Sequence, residues 1–377
     1  MEKLCCFFNY NPLYRFPIYS EMSRQLECDF YFGDSVFEPL KQFDPQKLKG
    51  FQKTLHTVRL FREYKWHKGV HSLLKGYSAY LITGQYEYLS YWVIIFYAKL
   101  TGKRIYCWTH GTSQKALGKT KERLINKLFF KVMDGILMYN SYRIPNMEAI
   151  GISANKLFVI HNSLDSPFQT DIYDKLQPSS IYRDHFHNDL PTVIYIGRIQ
   201  KRKKIDLLVK AIAYLYHDNN PLNLVIVGKA TQENDIEQLV LDKGIADHVW
   251  FYGPCFEEEK NAELLYNAAV CVCPAEVGLT AIHSLTYGTP VISNNDFDTQ
   301  MPEFEAIING ETGSFYQAGD IPSLAQEIVR WSNKTTEERT AIRARARKEI
   351  TTSWSINYQI DVLRNVFPDY KSSYKSK

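Results

Sequence analysis

The 377-residue sequence holds seven cysteines, and no two of them form a C-x-x-C pair. Cys271 and Cys273 lie inside an apolar run, VCVCP. An odd number of scattered thiols excludes a disulfide framework and a zinc site, and reads as reduced thiols in a cytosolic protein. Long hydrophobic runs are also missing. The longest, YWVIIFYAKL, falls short of the roughly 20 residues that span a bilayer. The opening MEKLCCFFNYNP has no basic stretch ahead of its apolar run and no small-residue cleavage site, so it does not read as a secretory signal. No G-x-G-x-x-G follows a first strand, which disfavours a nicotinamide-binding reading. Short-period repeats and low-complexity tracts are absent too.

What is present is an ordinary globular composition, 45% hydrophobic and 23% charged, on a chain long enough for two domains. Aromatics reach 14%, with 26 Tyr. These suit sugar or base stacking, or simply a tyrosine-rich core and surface. Charge is uneven: residues 1–165 carry 23 Lys and Arg against 13 Asp and Glu, and residues 166–377 carry 22 against 28. A basic first half fits anionic lipid headgroups or phosphates, and fits equally a solvated face with no partner.

Strand and helix patterns alternate through both halves. In the first, KLCCFFNYN, CDFYFG, AYLITGQ, RIYCWTHG, GILMYNS and KLFVIHNSLD read as strands separated by amphipathic helices. In the second, TVIYIGR, NLVIVGK, HVWFYG, VCVCP and PVIS do the same. Such alternation predicts α/β architecture with two doubly wound parallel sheets. The polar, turn-rich residues 166–190 break the pattern and mark a hinge. The expected domains are 1–165 and 166–351, with a C-terminal helix at 352–377 packing back on the first.

Ligands of doubly wound sheets sit beyond the carboxyl ends of the strands. After TVIYI come Gly197, Arg198 and a run Lys201, Arg202, Lys203, Lys204 that is expected to enter the next helix. Cations at a helix N-terminus oppose its dipole, so four of them imply a bound anion, and a guanidinium with an ammonium can hold a diphosphate from two sides. After VCVCP, Gly278 opens a helix whose free amide groups suit an anion, with Glu276 before it and His283 about two turns inside it. Alone, His283 reads as a packing residue. After PVIS, the Asp-x-Asp at Asp296 to Asp298 is similar to a metal-holding pair of another transferase fold; it is read as coincidence, since two other anion sites already neutralise a diphosphate without a cation.

These residues carry a resemblance. TVIYIGRIQKRKKIDLLVKAI, PAEVGLTAIHSLTYGTPVIS, FEAIINGETGSFY and HNSLD resemble, in order and spacing over residues 155–320, the donor-binding elements of glycosyltransferase family 4, enzymes of the GT-B fold. WTHG in the first half is a weaker match, and the whole is similar to bacterial enzymes of capsule or O-antigen synthesis. The resemblance implies two Rossmann-like domains facing each other across a cleft. It also implies retaining, metal-independent transfer of a hexose or N-acetylhexosamine from a nucleotide diphosphate sugar, with UDP-sugars favoured, to a hydroxyl of a sugar acceptor.

Arg198 and Lys203 would bind the diphosphate, with backbone groups of Gly278 and Leu279. Gly197, Gly228, Lys229, Thr280 and Glu305 would complete the donor site. The family's second glutamate, which usually holds the ribose hydroxyls, falls here on His283, whose imidazole can also accept or donate to a hydroxyl. The first, which usually touches the transferred sugar, falls on Ala275, or on Glu276 with one residue deleted. Glu276 is the better fit, since alanine cannot bind hydroxyls. His110 would lie near the donor sugar; read alone, it fits site chemistry or a loop hydrogen bond. Asn9, Pro12, Arg15 and Tyr19, on a loop after the first strand, would hold the acceptor. His110, Arg198, Lys203 and Glu276 are the catalytic candidates. No cofactor or nucleic acid is expected beyond the nucleotide-sugar co-substrate. An undecaprenyl-linked acceptor would be met at the inner-leaflet surface by a cytoplasmic, peripheral enzyme. Two other readings remain open, a non-catalytic binding subunit favoured by the lost carboxylate at His283, and a sugar-nucleotide epimerase.

Overall fold

The computed structural model describes residues 3–34, 41–230 and 235–370. It divides into two compact units, residues 1–165 with 355–377, and residues 166–354. The C-terminal helix expected at 352–377 spans only Ile356–Val366, and residues 371–377 lie outside the described part.

The first unit is built on β1 (Leu4–Phe8), α1 (Phe16–Gln25), β2 (Cys28–Gly33), β3 (Phe51–Leu55), β4 (Thr57–Phe61), β5 (Tyr64–His67), β6 (Ala79–Thr83), α2 (Leu89–Leu100), β7 (Arg104–Thr109), α3 (Gln114–Leu117), α4 (Thr120–Lys131), β8 (Gly135–Met138), α5 (Ile144–Ala149) and β9 (Leu157–Val159). Seven strands form one parallel sheet in the order β3-β2-β1-β6-β7-β8-β9, with Leu4 paired to Cys28 on one side and to Ala79 on the other. The run LCCFF is buried throughout because both faces of the sheet are covered. Its residues alternate: Leu4, Cys6 and Phe8 join one core with α1, and Cys5 and Phe7 join another with α2 and α4.

The second unit comprises α6 (Ser166–Tyr173), α7 (Ile181–Phe186), β10 (Thr192–Ile196), α8 (Ile205–His217), β11 (Asn223–Val227), α9 (Ile236–Asp242), β12 (Val249–Gly253), α10 (Glu258–Asn267), β13 (Val270–Cys273), α11 (Leu279–Thr286), β14 (Val291–Asn294), β15 (Gly313–Tyr316), α12 (Ile321–Ser332) and α13 (Thr336–Ser353). Six parallel strands run β12-β11-β10-β13-β14-β15. The core lies around α8 and α12, with Leu208, Ile212, Leu324 and Ile328 fully enclosed. Finally α14 (Ile356–Val366) returns to the first unit, where Ile360 and Leu363 join the core that holds Leu4 and α1.

Both sheets are doubly wound, as the alternation predicts, and three local expectations change. Residues 166–190 hold two short helices, α6 and α7, rather than turns alone. Buried Ile172, and Tyr182, whose hydroxyl donates to the Leu264 carbonyl at 2.6 Å, anchor them to the second unit. Residues Lys201–Lys203 form a single 3-10 turn, and Lys204, at φ +51°, separates it from α8. The basic run therefore precedes the helix instead of entering it. His283 is the fifth residue of α11, little more than one turn in, not two.

Buried His67 carries a pH dependence. Its Nδ1 lies 2.6 Å from Ser90 Oγ, its ring stacks on Tyr88, and its Nε2 has no partner among the described residues. Burial above all pushes its pKa down to about 3. The unfolded chain, with an ordinary histidine, takes the proton first. Stability is therefore fully present above about pH 6.5 and is lost as pH falls toward 3, by about 2 kcal/mol at pH 5. Urea titrations at pH 7.5 and 5.0 on wild type and His67→Phe test this: the variant should lack that share of the acid loss. Equal acid losses in both proteins would refute it.

Candidate functional site

The strand order of each sheet reverses once, between β1 and β6 in the first unit and between β10 and β13 in the second. At such switch points adjacent loops diverge and leave a crevice at the strand tips. Most residues singled out from the sequence follow β1, β10 and β13, and the rest follow β7, β11 and β14.

In the second unit, Gly197 follows β10, and its amide donates to the Val227 carbonyl at 2.9 Å, binding it to the tip of β11. Ile199 likewise donates to the Lys229 carbonyl at 3.0 Å. A Cβ on Gly228 would stand 1.9 Å from the Gly197 carbonyl oxygen. Gly228 is glycine because two backbones cross there. Gly228→Ala must force them apart, so it is expected to lower stability by about 3 kcal/mol, the upper part of the range for overpacking. A denaturation midpoint equal to wild type would disprove that account.

On the other side of the switch, the loop Pro274–Gly278 is pinned from β14 and beyond. Ser293 Oγ donates to the Ala275 carbonyl at 3.0 Å, and Gln300 Oε1 accepts from the Val277 amide at 2.7 Å. Gln300, buried, also donates to the Asn294 carbonyl at 2.9 Å. Sequence reading missed this strap, since an isolated glutamine carries no pattern. The pinned loop presents Glu276, whose Oε1 lies 2.8 Å from Arg202 Nη1 and 3.1 Å from Lys203 Nζ; Lys203 Nζ also donates to the Glu276 carbonyl at 3.0 Å. Gly278 caps α11 without any side-chain acceptor, and Thr280 Oγ1 donates to the Ile196 carbonyl at 3.2 Å, tying α11 to β10. Gly197, Lys203, Glu276, Gly278 and Thr280 surround a cavity of about 30 Å³. That is room for a water or a phosphate oxygen, not for a nucleotide.

The other donor candidates scatter. Arg198 is half-buried, and its carbonyl accepts from the Tyr195 hydroxyl at 2.8 Å. Leu279 is half-buried at the first turn of α11 and Lys229 is exposed. Glu305 is half-buried on the 3-10 turn Pro302–Ala306. His283 points elsewhere: its Nε2 lies 3.0 Å from Oε1 of Glu258, the first residue of α10. The same oxygen accepts from the Tyr287 hydroxyl at 2.7 Å and from Gln169 Nε2 at 2.7 Å. Burial alone would raise the Glu258 pKa. The hydrogen bond and charge of His283, with the Tyr287 and Gln169 hydrogen bonds, outweigh it and bring the value down to about 2. A carboxylate thus does stand beside position 283, on a different helix.

In the first unit a cavity of about 420 Å³ opens at the tips of β1, β6, β7 and β8. His110, Arg15, Asn9 and Tyr19 all line it, with Arg143 and Tyr139. His110 faces the space between the cavity's walls, its ring 4.6 Å from that of Tyr139. Desolvation first, then the charges of Arg143 and Arg15, push its pKa down to about 4, so it is neutral at pH 7. Asn9 is a staple: its amide donates to Thr83 Oγ1 at 3.2 Å and its Nδ2 to Gln85 Oε1 at 3.1 Å, fixing β1 to β6. Tyr19 is not on the loop. It belongs to α1, 3% exposed, with its ring stacked on Phe8 at 4.9 Å, and meets the cavity only from within the core. Among the described residues no three His, Cys, Asp or Glu side chains gather as a metal would need. No described helix is long and apolar enough to cross a membrane.

Residues 181–349 match the family model described as glycosyl transferases group 1. Over 288 residues the chain is 24% identical to a protein of Klebsiella pneumoniae described as an uncharacterized 41.2 kDa protein in cps region, covering 72% of this chain and 74% of that one. It is 24% identical over 204 residues to the capsular polysaccharide biosynthesis glycosyltransferase CapM of Staphylococcus aureus, covering 50% and 49%. Among solved structures, Anabaena Alr3699/HepE in complex with UDP superposes with a TM-score of 0.74 at 14% identity, covering 98% of this chain and 100% of that one. Residues 181–349 are therefore similar to group 1 glycosyl transferases, and the chain has a GT-B fold.

Proposed function

We propose that the protein transfers a hexose or N-acetylhexosamine from a nucleotide diphosphate sugar, UDP-sugars favoured, to a hydroxyl of a sugar acceptor in bacterial surface polysaccharide synthesis. Lys203 carries this reading. Its ammonium sits at the switch point of the second sheet, against Glu276 and next to the uncapped start of α11. On this reading a diphosphate leaving there would meet Lys203 and the amide group of Gly278, with Arg198 and the amide group of Leu279 nearby in sequence, groups whose chemistry suits charge that develops as the glycosidic bond breaks. Glu276 has a carboxylate for sugar hydroxyls, held in place by Arg202 and Lys203.

No described carboxylate stands out as a covalent nucleophile. Attack from the face of the leaving diphosphate, with retention of configuration and no metal, is therefore the proposed course. UDP is favoured because HepE is described in complex with UDP and with UDP-glucose. Capsule synthesis is favoured because CapM is described as a capsular polysaccharide biosynthesis glycosyltransferase, and the Klebsiella protein as one in a cps region. The acceptor is proposed to be lipid-linked, its undecaprenyl carrier brought to a peripheral enzyme by the basic first half.

The test is thermal stability with a panel of nucleotides and nucleotide sugars, on wild type and Arg198→Ala, since a ligand that binds the native state raises the melting temperature. One diphosphate nucleotide should stabilise wild type and fail with the variant. The matching sugar nucleotide should then give an α-linked product by proton NMR without added metal. If no nucleotide stabilises either protein, the reading falls and a non-catalytic role takes its place.

A further inference from the structure

Arg15 is the most unusual charge in the first unit. It ends the 3-10 turn Leu13–Arg15 ahead of α1 and is 5% exposed. Its guanidinium carbon lies 4.7 Å from the Trp108 ring centre, 4.9 Å from that of Tyr139 and 5.3 Å from that of Tyr14. Nη2 donates to the Tyr139 hydroxyl at 2.6 Å, and Nε reaches the Tyr14 hydroxyl at 3.4 Å. Among the described residues Nη1 has no hydrogen-bond partner and no carboxylate pairs with the group. Glu87 and Glu122 do line the same cavity, but Glu122 is paired with Lys119 at 2.7 Å, and neither bonds Arg15.

A buried cation without a counter-ion is costly, and stacking on rings recovers only part of that cost. Such a group persists where something other than folding uses it. Arg15 also lines the 420 Å³ cavity together with Arg143, and both charges bear on His110. The local field is positive in a space the size of a sugar, walled by Tyr10, Tyr14, Tyr86 and Tyr139, whose rings suit the apolar faces of a pyranose.

We infer that the cavity of the first unit takes an acceptor bearing an oxyanion, a carboxylate or a phosphate, seated on the Arg15 guanidinium. This rests on the transferase reading of the second unit and deepens it by naming the acceptor's charge. Two sources supply that chemistry, a uronic acid residue of the growing polysaccharide or the phosphate of a lipid-linked sugar.

The probes are methyl glucuronoside, glucose 1-phosphate and neutral methyl glucoside, titrated calorimetrically into wild type, Arg15→Met, Arg15→Lys and Lys203→Ala, with UDP titrated in parallel. Methionine keeps the length and apolar bulk of the stem and removes the charge. Because that charge has no described counter-ion, Arg15→Met should melt at or above the wild-type temperature, whereas a guanidinium held for stability would lower it on removal.

At least one anionic probe should bind wild type about tenfold tighter than methyl glucoside, lose that advantage in Arg15→Met and regain part of it in Arg15→Lys, while Lys203→Ala retains it. Preference for the glucuronoside points to a uronic acid, and preference for the phosphate to the lipid-linked sugar. If UDP binds and neither anion outbinds the neutral glycoside, the inference is overturned and the transferase reading stands. Loss of the preference in Lys203→Ala instead of Arg15→Met overturns it too, since the anion would then be in the donor site. Failure of UDP to bind would remove the transferase reading itself.

Discussion

Lys203→Ala is expected to lower kcat by about 10²- to 10³-fold, the cost of removing one well-placed group that stabilises developing charge. The ammonium is held at 3.0 Å by the Glu276 carbonyl and at 3.1 Å by its carboxylate, so it is oriented before any ligand arrives. That orientation makes its loss a transition-state effect, visible in kcat, more than a loss of general affinity. Folding should hardly notice. Glu276 keeps Arg202 at 2.8 Å, so its carboxylate stays paired after Lys203 is removed. Lys203→Arg should recover part of the rate, because the charge returns without the compact ammonium geometry. Steady-state kinetics with a saturating donor, alongside melting curves, separate the possibilities. A rate within about threefold of wild type would remove Lys203 from the chemistry.

The strands of both sheets were legible because fully covered parallel strands write themselves as unbroken apolar runs, as in LCCFF and VCVC. The exceptions are instructive. β3 and the antiparallel pair β4–β5 are built from FQKTL, TVRLF and YKWH, half-exposed segments whose alternation is diluted by lysine and arginine. They lie at an edge and in a hairpin, where burial does not enforce a pattern. The basic run Lys201–Lys204 was visible as composition, but its break at Lys204, a left-handed residue, is a backbone property that residue identities do not announce.

At the site, residues tied to strand tips were placed well by topology alone. Gly197, Lys203, Glu276 and Gly278 come together because β10 and β13 are neighbours. Contacts assembled from distant elements were not legible. Gln300 reaches Val277 from beyond β14, and the rings around Arg15 come from β7 and from the loop after β8. Glycine at 228 was noticed as a strand end, whereas its reason, the carbonyl of Gly197 crossing beside it, is tertiary.

The same gap hid Glu258, and the second large effect is expected there. A histidine stands where the resembling family carries a carboxylate, which from sequence favours a binding subunit without activity. The structure supplies a carboxylate 3.0 Å from that imidazole, 25 residues earlier in the chain. Because His283, Tyr287 and Gln169 converge on one Glu258 oxygen, Glu258→Ala strands three donors at once, those of Tyr287 and Gln169 on buried side chains. It should cost about 3 kcal/mol at pH 7, the equivalent of bringing a carboxyl from an ordinary value down to about 2. The sign follows from the lowered pKa. The contribution is complete above about pH 4.5 and fades as pH falls toward 2, because the unfolded chain takes up the proton first. The gap between wild type and Glu258→Ala in urea titrations should therefore be wide at pH 7 and nearly closed at pH 2.5. Glu258→Gln keeps an acceptor oxygen and should lose roughly half as much. If His283 meets the donor, Glu258→Gln should also raise the donor KM with kcat little changed, since it frees the imidazole to turn without touching the reacting atoms. A wild-type KM in a stable Glu258→Gln protein would confine the pair to holding α10 against α11, and the lost family carboxylate would then have no replacement.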